Sequence, residues 1–133
     1  MRELIRAGLV RSAHDCSEGG LAVALAESCF NPHGLLGAEI DFQATAMSTA
    51  QTLFNESQSR IVISCAPNDV EKAVSILRSK SIPHSLLGQV TNKTLLISEP
   101  ESELSWSIVD LYDDWFNAIR RAVETETEPV PSL

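Results

Sequence analysis

The chain is poor in the residues that would staple it, carry it through a bilayer or bind it to nucleic acid. It holds three cysteines, Cys16, Cys29 and Cys65. The count is odd, the spacings are wide and no CxxC occurs, which argues against a disulfide framework or a zinc site. Cys29 and Cys65 sit among apolar neighbours and read as small core residues. No apolar run approaches the ~20 residues of a membrane helix; the longest, Gly19 to Cys29, is broken by Glu27. The opening Met1–Arg6 segment has neither the apolar core nor the small-residue cleavage site of a signal peptide, so a cytoplasmic location is expected. Basic residues are scarce: 10 Lys and Arg stand against 18 Asp and Glu, for a net charge of −8. Phosphate backbones are gripped by clustered Lys and Arg, so nucleic acid is not an expected partner, and neither is a membrane.

What is present fits one domain. The chain has 133 residues, 44% of them hydrophobic, enough to bury a core. The acidic residues concentrate at Glu99 to Glu103 and Glu124 to Glu128, which read as a solvated linker and a frayed end. Residues 1–124 are expected to form the domain. Residues 125–133, rich in Glu and Thr with two prolines, are expected to be a disordered tail at a chain terminus.

The periodicities alternate between helix and strand. Arg2 to Ala7 reads as a short helix stopped by Gly8, and Leu9 to Ala13 as extended. Ser17 is the expected N-cap of a helix running to about Ser28. Asn31-Pro32-His33-Gly34 is a turn by composition, and Ala38 to Phe42 a strand. Ser48-Thr49-Ala50-Gln51 is a capping box before a short helix to Asn55. Arg60 to Ala66, with Ile61, Val62 and Ile63, is the strongest strand. Asn68 to Glu71 is a second capping signal, and Val70, Ala73, Val74 and Leu77 place one apolar stripe on a helix to Lys80. His84 to Val90 and Thr94 to Ser98 read as the two strands of a hairpin turning at Thr91-Asn92-Lys93. Ser105 to Val109 offers one more strand. Asp110 is the expected cap of a last helix to about Val123, burying Trp115, Ile119 and either Leu111 or Tyr112; both tryptophans are expected in the core. The sum is an α/β layered domain, α+β-like, with a mixed β-sheet covered by helices on one face.

Two segments can carry chemistry. In Ser12 to Leu21 a strand passes through a polar turn into a glycine-rich helix start. Free N–H groups there suit phosphate or carboxylate, and Gly19 and Gly20 permit close approach. His14 can donate to phosphate, and Asp15 can take a metal ion or a hydroxyl. Alternatively, Asp15 and Ser17 cap the helix and the glycines serve packing. The segment is not a Walker loop, because GxxxxGK[ST] is absent and no lysine is near. In Phe54 to Arg60, polar residues lie between a helix end and a strand expected to be buried. Glu56 can accept from ribose or amide donors, Ser57 and Gln58 can hydrogen-bond, and Arg60 can fork onto phosphate or carboxylate. The competing reading is a local Glu56–Arg60 ion pair. No Ser-His-Asp or Cys-His arrangement is present, and His33 and His84 lack partners at useful spacing.

Taken together, Ala13-His14-Asp15-Cys16-Ser17-Glu18-Gly19-Gly20-Leu21-Ala22-Val23-Ala24-Leu25-Ala26-Glu27 and Leu53-Phe54-Asn55-Glu56-Ser57-Gln58-Ser59-Arg60 resemble the two signatures of the carboxy-terminal domain of the aminoimidazole ribonucleotide synthetase superfamily. Leu87-Gly88-Gln89-Val90-Thr91 resembles its glycine-containing hairpin, and the resemblance covers about Ile5 to Val123. Within the superfamily, the first string is most similar to the branch that makes the amidine of purine biosynthesis. The resemblance implies one wall of a cleft in an ATP-dependent carbon–nitrogen ligase acting on formylglycinamide ribonucleotide with glutamine-derived ammonia. ATP and Mg2+ would be held mostly by amino-terminal ATP-binding domains of the same enzyme, with glutaminase and small accessory subunits as further partners. The domain alone would hold no tightly bound cofactor, no metal and no catalytic residue, and would not turn over. Substrate or nucleotide contacts would come from His14, Asp15, Ser17, Gly19, Gly20, Glu56, Ser57, Gln58 and Arg60. That enzyme carries the domain pair twice. One copy of the Glu-Ser-Gln motif meets substrate, whereas the other, which the terminal helix and acidic tail resemble, lines an auxiliary nucleotide site or serves as a scaffold. A sister enzyme of the superfamily is the remaining alternative, against which the Glu-Ser-Gln string argues.

Overall fold

The computed structural model describes residues 1–31, 33–42, 48–98 and 103–125. The Glu99–Glu103 linker lies almost entirely outside these residues. So do Pro32 of the expected turn and the tail beyond residue 125. The elements run α1 (Arg2–Arg6), β1 (Ser12–Asp15), α2 (Gly20–Ser28), β2 (Gly37–Asp41), α3 (Thr49–Phe54), β3 (Ile61–Ser64), a 3-10 turn (Pro67–Asp69), α4 (Val70–Ser79), β4 (Gly88–Thr91), β5 (Thr94–Ser98), β6 (Glu103–Ser107) and α5 (Ile108–Thr125). They build a mixed four-stranded sheet in the order β4-β2-β5-β6 and a two-stranded antiparallel sheet of β1 and β3.

Directly opposed residues share a face of a sheet, and this arranges the core. One row reads Val90, Ala38, Leu95, Trp106; the next reads Gly88, Ile40, Ile97, Leu104. The central four of these, Ala38, Ile40, Leu95 and Ile97, are buried. Helix α2 lays Leu21, Ala24 and Leu25 over them, with Cys16, Cys29, Leu53 and Ile108 completing the cluster. The other face is mostly polar, Leu96 apart, and includes a Gln89 Nε2 to Glu39 Oε2 hydrogen bond of 2.9 Å. The sheet is thus covered by helices on one side, as the alternating patterns imply. A second cluster, Leu4, Leu9 and Ala73 with Ile63, Ile76 and Leu77, packs α1 and the stripe of α4 on the two-stranded sheet. The capping box of α3 forms as expected, with Ser48 Oγ accepting from the Gln51 amide.

Several expectations are corrected. Strands β4 and β5 are not a hairpin, because β2, parallel to β5, lies between them. The short connection through Asn92 and Lys93 crosses the start of β2 at Gly37. A Cβ there would stand 2.3 Å from the Thr94 carbonyl oxygen and 2.7 Å from its nitrogen, so only glycine lets the chain cross. Strand β4 begins at Gly88, not His84, and β1 at Ser12, not Leu9. Strand β3 is short and not buried; Ile61 is 49% exposed, since among the described residues β1 is its sole partner strand. Cys65 is half-buried rather than core. Helix α4 follows the 3-10 turn, and Asp69 makes no side-chain cap bond. At α5, Ser107 Oγ accepts from the Asp110 amide at 3.5 Å, so Asp110 is inside the helix and not its cap. The first turns of α5 reach the core through Ile108 and Leu111. The later ones outrun the sheet, leaving Trp115 52% and Ile119 81% exposed; Trp106, on an edge strand, is also 38% exposed. No described helix is long and apolar enough to cross a membrane.

Candidate functional site

The two motifs meet because β1 and β3 pair. Asp15 lies opposite Ile61, and the Cys16 amide donates to the Arg60 carbonyl at 2.9 Å, extending the ladder one step beyond the strands. The end of the first motif and the end of the second are therefore neighbours, though 45 positions separate Asp15 from Arg60.

Past Asp15 the chain turns sharply. Ser17 does not cap α2. Its hydroxyl donates to Asp15 Oδ2 at 2.6 Å, while the Gly20 amide closes a turn on the Ser17 carbonyl. Gly19 is the N-cap, in the left-handed region at φ 77°, and Gly20 follows at φ 63°. Two left-handed residues in succession are tolerated by glycine alone, and they move the helix start past Ser17. Gly20 is also pressed on the end of α3: a Cβ would lie 2.7 Å from the Leu53 carbonyl oxygen and 2.8 Å from that of Asn55.

The second motif supplies the facing wall. Glu56 Oε1 accepts from the Gly19 amide at 2.9 Å, tying the motifs together through a bond between residues 37 apart. An intrinsic carboxylate thus occupies a helix-start donor that was expected to serve a ligand. Arg60 Nη1 donates to the Asn55 carbonyl at 2.8 Å, and the Ser57 amide donates to Asn55 Oδ1 at 2.7 Å. Glu56 and Arg60 do not pair with one another; each is anchored elsewhere. Ser59, at φ 67°, bends the chain back into β3.

Between the walls is an open cleft of about 460 Å³, lined by Asp15, Ser17, Glu56, Gln58 and Arg60. Cys16, Ser59 and Ile61 also line it and were not expected to; the first two lie inside the two motifs and Ile61 directly follows the second. Gly19 does not line it and meets it only through its bond to Glu56. Gly20 serves packing, and Ser57 and His14 do not line the cleft. His14 turns away, with Nε2 2.9 Å from Glu27 Oε2 and Nδ1 2.7 Å from the Asp15 carbonyl oxygen, so it is not placed to donate to a ligand phosphate.

The electrostatics are mixed. The Ser17 hydroxyl is the main cause holding the Asp15 carboxyl below its ordinary range. Burial pushes the Cys16 thiol up, partly opposed by the charge of Arg60. Two carboxylates and one guanidinium face the cleft. Among the described residues, no three His, Cys, Asp or Glu side chains are grouped to hold a metal ion. The two carboxylates accept hydrogen bonds from hydroxyl and amide donors, and the guanidinium offers one cationic fork to an anion.

A sheet covered on one face, two signature segments brought together by β1–β3 pairing, and a glycine-paired helix start define the class. The chain belongs to the family described as AIR synthase related protein, C-terminal domain, whose pattern matches residues 1–98. Among its relatives are phosphoribosylformylglycinamidine synthase subunits PurL. One from Thermus thermophilus is 33% identical over 124 residues, 93% of this chain. That of Moorella thermoacetica is 43% identical over 97 residues, 73% of this chain. The chain spans only 16% and 13% of the lengths of those relatives. The fold is shared with Thermotoga maritima PurL. The structure described as complexed with FGAR superposes with a TM-score of 0.71 at 21% identity, covering 82% of this chain and 19% of that one. The structure described as complexed with ATP gives 0.70 at 20% identity, covering 80% and 19%.

Proposed function

We propose that this chain is one wall of a ribonucleotide-binding cleft in a phosphoribosylformylglycinamidine synthase, the ATP-dependent ligase that converts formylglycinamide ribonucleotide and glutamine-derived ammonia to the amidine. The observation that carries the reading is the Gly19 amide to Glu56 bond, which assembles both signature segments on one cleft. In the whole enzyme the amide oxygen of the substrate would be activated as an imidate phosphate by phosphoryl transfer from ATP, and ammonia would displace phosphate. The part of this domain would be binding: Asp15 and Glu56 accept from ribose hydroxyl or amide donors, and Arg60 receives a single anionic group.

The balance of charge favours the ribonucleotide over ATP on this wall. A triphosphate would set several negative charges against two carboxylates, with only Arg60 in compensation. The described residues do not fit a magnesium site. ATP and Mg2+ would be held by amino-terminal domains of the same enzyme, with glutaminase and small accessory subunits as further partners, in the cytoplasm. A second reading, that the domain is a scaffold keeping a duplicated motif, has one observation in its favour: Glu56 and Arg60 both spend hydrogen bonds on backbone groups of this domain.

Kinetics and melting temperature of the full-length synthase separate the two. Glu56→Ala and, separately, Arg60→Ala are expected to lower kcat/KM at least tenfold, about 1.4 kcal/mol, with a fall in melting temperature no larger than the loss of one hydrogen bond, about 0.5–1.5 kcal/mol, brings. Unchanged kinetics with lowered melting temperature would mean that the motif holds the domain together and nothing more.

A further inference from the structure

Glu27 closes the first motif but does not line the cleft, and its two oxygens are both used. Oε1 accepts from the Trp115 indole N–H at 2.9 Å, and Oε2 lies 2.9 Å from His14 Nε2. The other ring nitrogen of His14 is 2.7 Å from the Asp15 carbonyl oxygen. One unbroken chain of contacts, Trp115 to Glu27 to His14 to Asp15, therefore joins α5, α2 and β1. Its outer end is itself braced: Trp115 packs against Phe30 and Tyr112, with ring centroids 5.4 and 6.0 Å apart. Its inner end is the last residue of β1, whose carboxylate lines the cleft. Beyond the single Cys16 ladder bond that follows, the chain enters the double-glycine turn and leaves the sheet.

We propose that Glu27 is a positioning residue for the cleft: by bridging Trp115 and His14 it fixes the end of β1 and thereby the placement of the Asp15 carboxylate against the ribonucleotide. The inference rests on the reading of the cleft given above. A carboxylate can accept from the Trp115 indole N–H through one oxygen while its other oxygen reaches the His14 ring, whereas an amide of the same size keeps a single oxygen and turns an N–H to one of the two partners. Half-exposed ion pairs add little to stability, so the value of the bridge is in geometry, where a small displacement costs much.

The test uses the full-length synthase with Glu27→Gln, Trp115→Phe and Glu56→Ala. Glu27→Gln is expected to raise KM for formylglycinamide ribonucleotide roughly tenfold, with kcat and melting temperature held, the pattern of lost binding. Trp115→Phe, which removes one donor, is expected to move KM the same way by less. If Glu56→Ala raises KM and Glu27→Gln does not, the positioning role is overturned and the cleft reading stands. If Glu56→Ala leaves KM and kcat unchanged, the cleft reading fails and takes this inference with it. Should Glu27→Gln not fold, Trp115→Phe decides: a raised KM supports the bridge, and an unchanged KM in a folded enzyme overturns it.

Discussion

Replacing Gly20 by alanine tests the packing argument on which the cleft depends. Two costs add at that position. The backbone is left-handed at φ 63°, which costs an alanine about 1–2 kcal/mol. The new methyl would also stand 2.7 and 2.8 Å from the carbonyl oxygens of Leu53 and Asn55 and 3.0 Å from the Phe54 carbonyl carbon. These are backbone atoms at the end of α3, so α2 and α3 must separate, an overpacking cost of about 1–3 kcal/mol. The total is about 2–5 kcal/mol, a large share of the ~5–15 kcal/mol that stabilises a typical domain. Gly8 is the control: it is left-handed at φ 71°, but a Cβ would meet nothing within 4 Å. Gly8→Ala should therefore cost only the conformational part, about 1–2 kcal/mol. Urea unfolding of the 133-residue chain, followed by circular dichroism, reads both variants against the parent at unchanged m-value. The reasoning is refuted if Gly20→Ala costs no more than Gly8→Ala, because the close approach of α2 to α3 would then carry no energy.

Two further predictions follow from the side-chain environments. Burial raises the Cys16 and Cys29 thiols above their ordinary range, whereas Cys65 is only half-buried. Iodoacetamide at pH 8 should therefore label Cys65 first in the folded chain and all three at similar rates in urea; mass spectrometry showing Cys16 labelled as fast as Cys65 would contradict the burial. The Asp15 carboxyl is depressed chiefly by the Ser17 hydroxyl, so its contribution to stability is present above the ordinary carboxylate value and is lost as pH falls through the depressed one. Ser17→Ala should raise the Asp15 titration midpoint in a carboxyl NMR titration, and its effect on stability should vanish in strong acid. An unmoved midpoint would show that Ser17 is not the cause.

Much of this protein was legible along the chain, because much of it is local. Periodicity marks α4, and the capping box of Ser48 and Gln51 marks α3, since neighbours within four positions decide both. Of the residues that the resemblance of Ala13–Glu27 and Leu53–Arg60 to two family signatures implies, Asp15, Ser17, Glu56, Gln58 and Arg60 line one cleft, and His14, Gly19, Gly20 and Ser57 do not. Residues whose roles depend on distant partners were not legible. Ser17 is a local exception: it reads as a cap by type, yet the left-handed glycines two and three positions on move the helix start, and its hydroxyl turns back to Asp15. His14 reads as a phosphate donor, yet Glu27, on another element, takes its ring. The insertion of β2 between β4 and β5 leaves no trace in either strand, because β2 lies about 50 positions upstream, and only the missing Cβ of Gly37 permits the crossing. The exposure of Trp115 and Ile119 is invisible in a helical stripe, which states which side of α5 is apolar but not where the sheet beneath it ends. Composition, turn chemistry and periodicity are short-range properties and were determined by the sequence itself. Strand order, burial and the meeting of two motifs at one cleft are set by which distant surfaces pack together, and only the tertiary structure decides that.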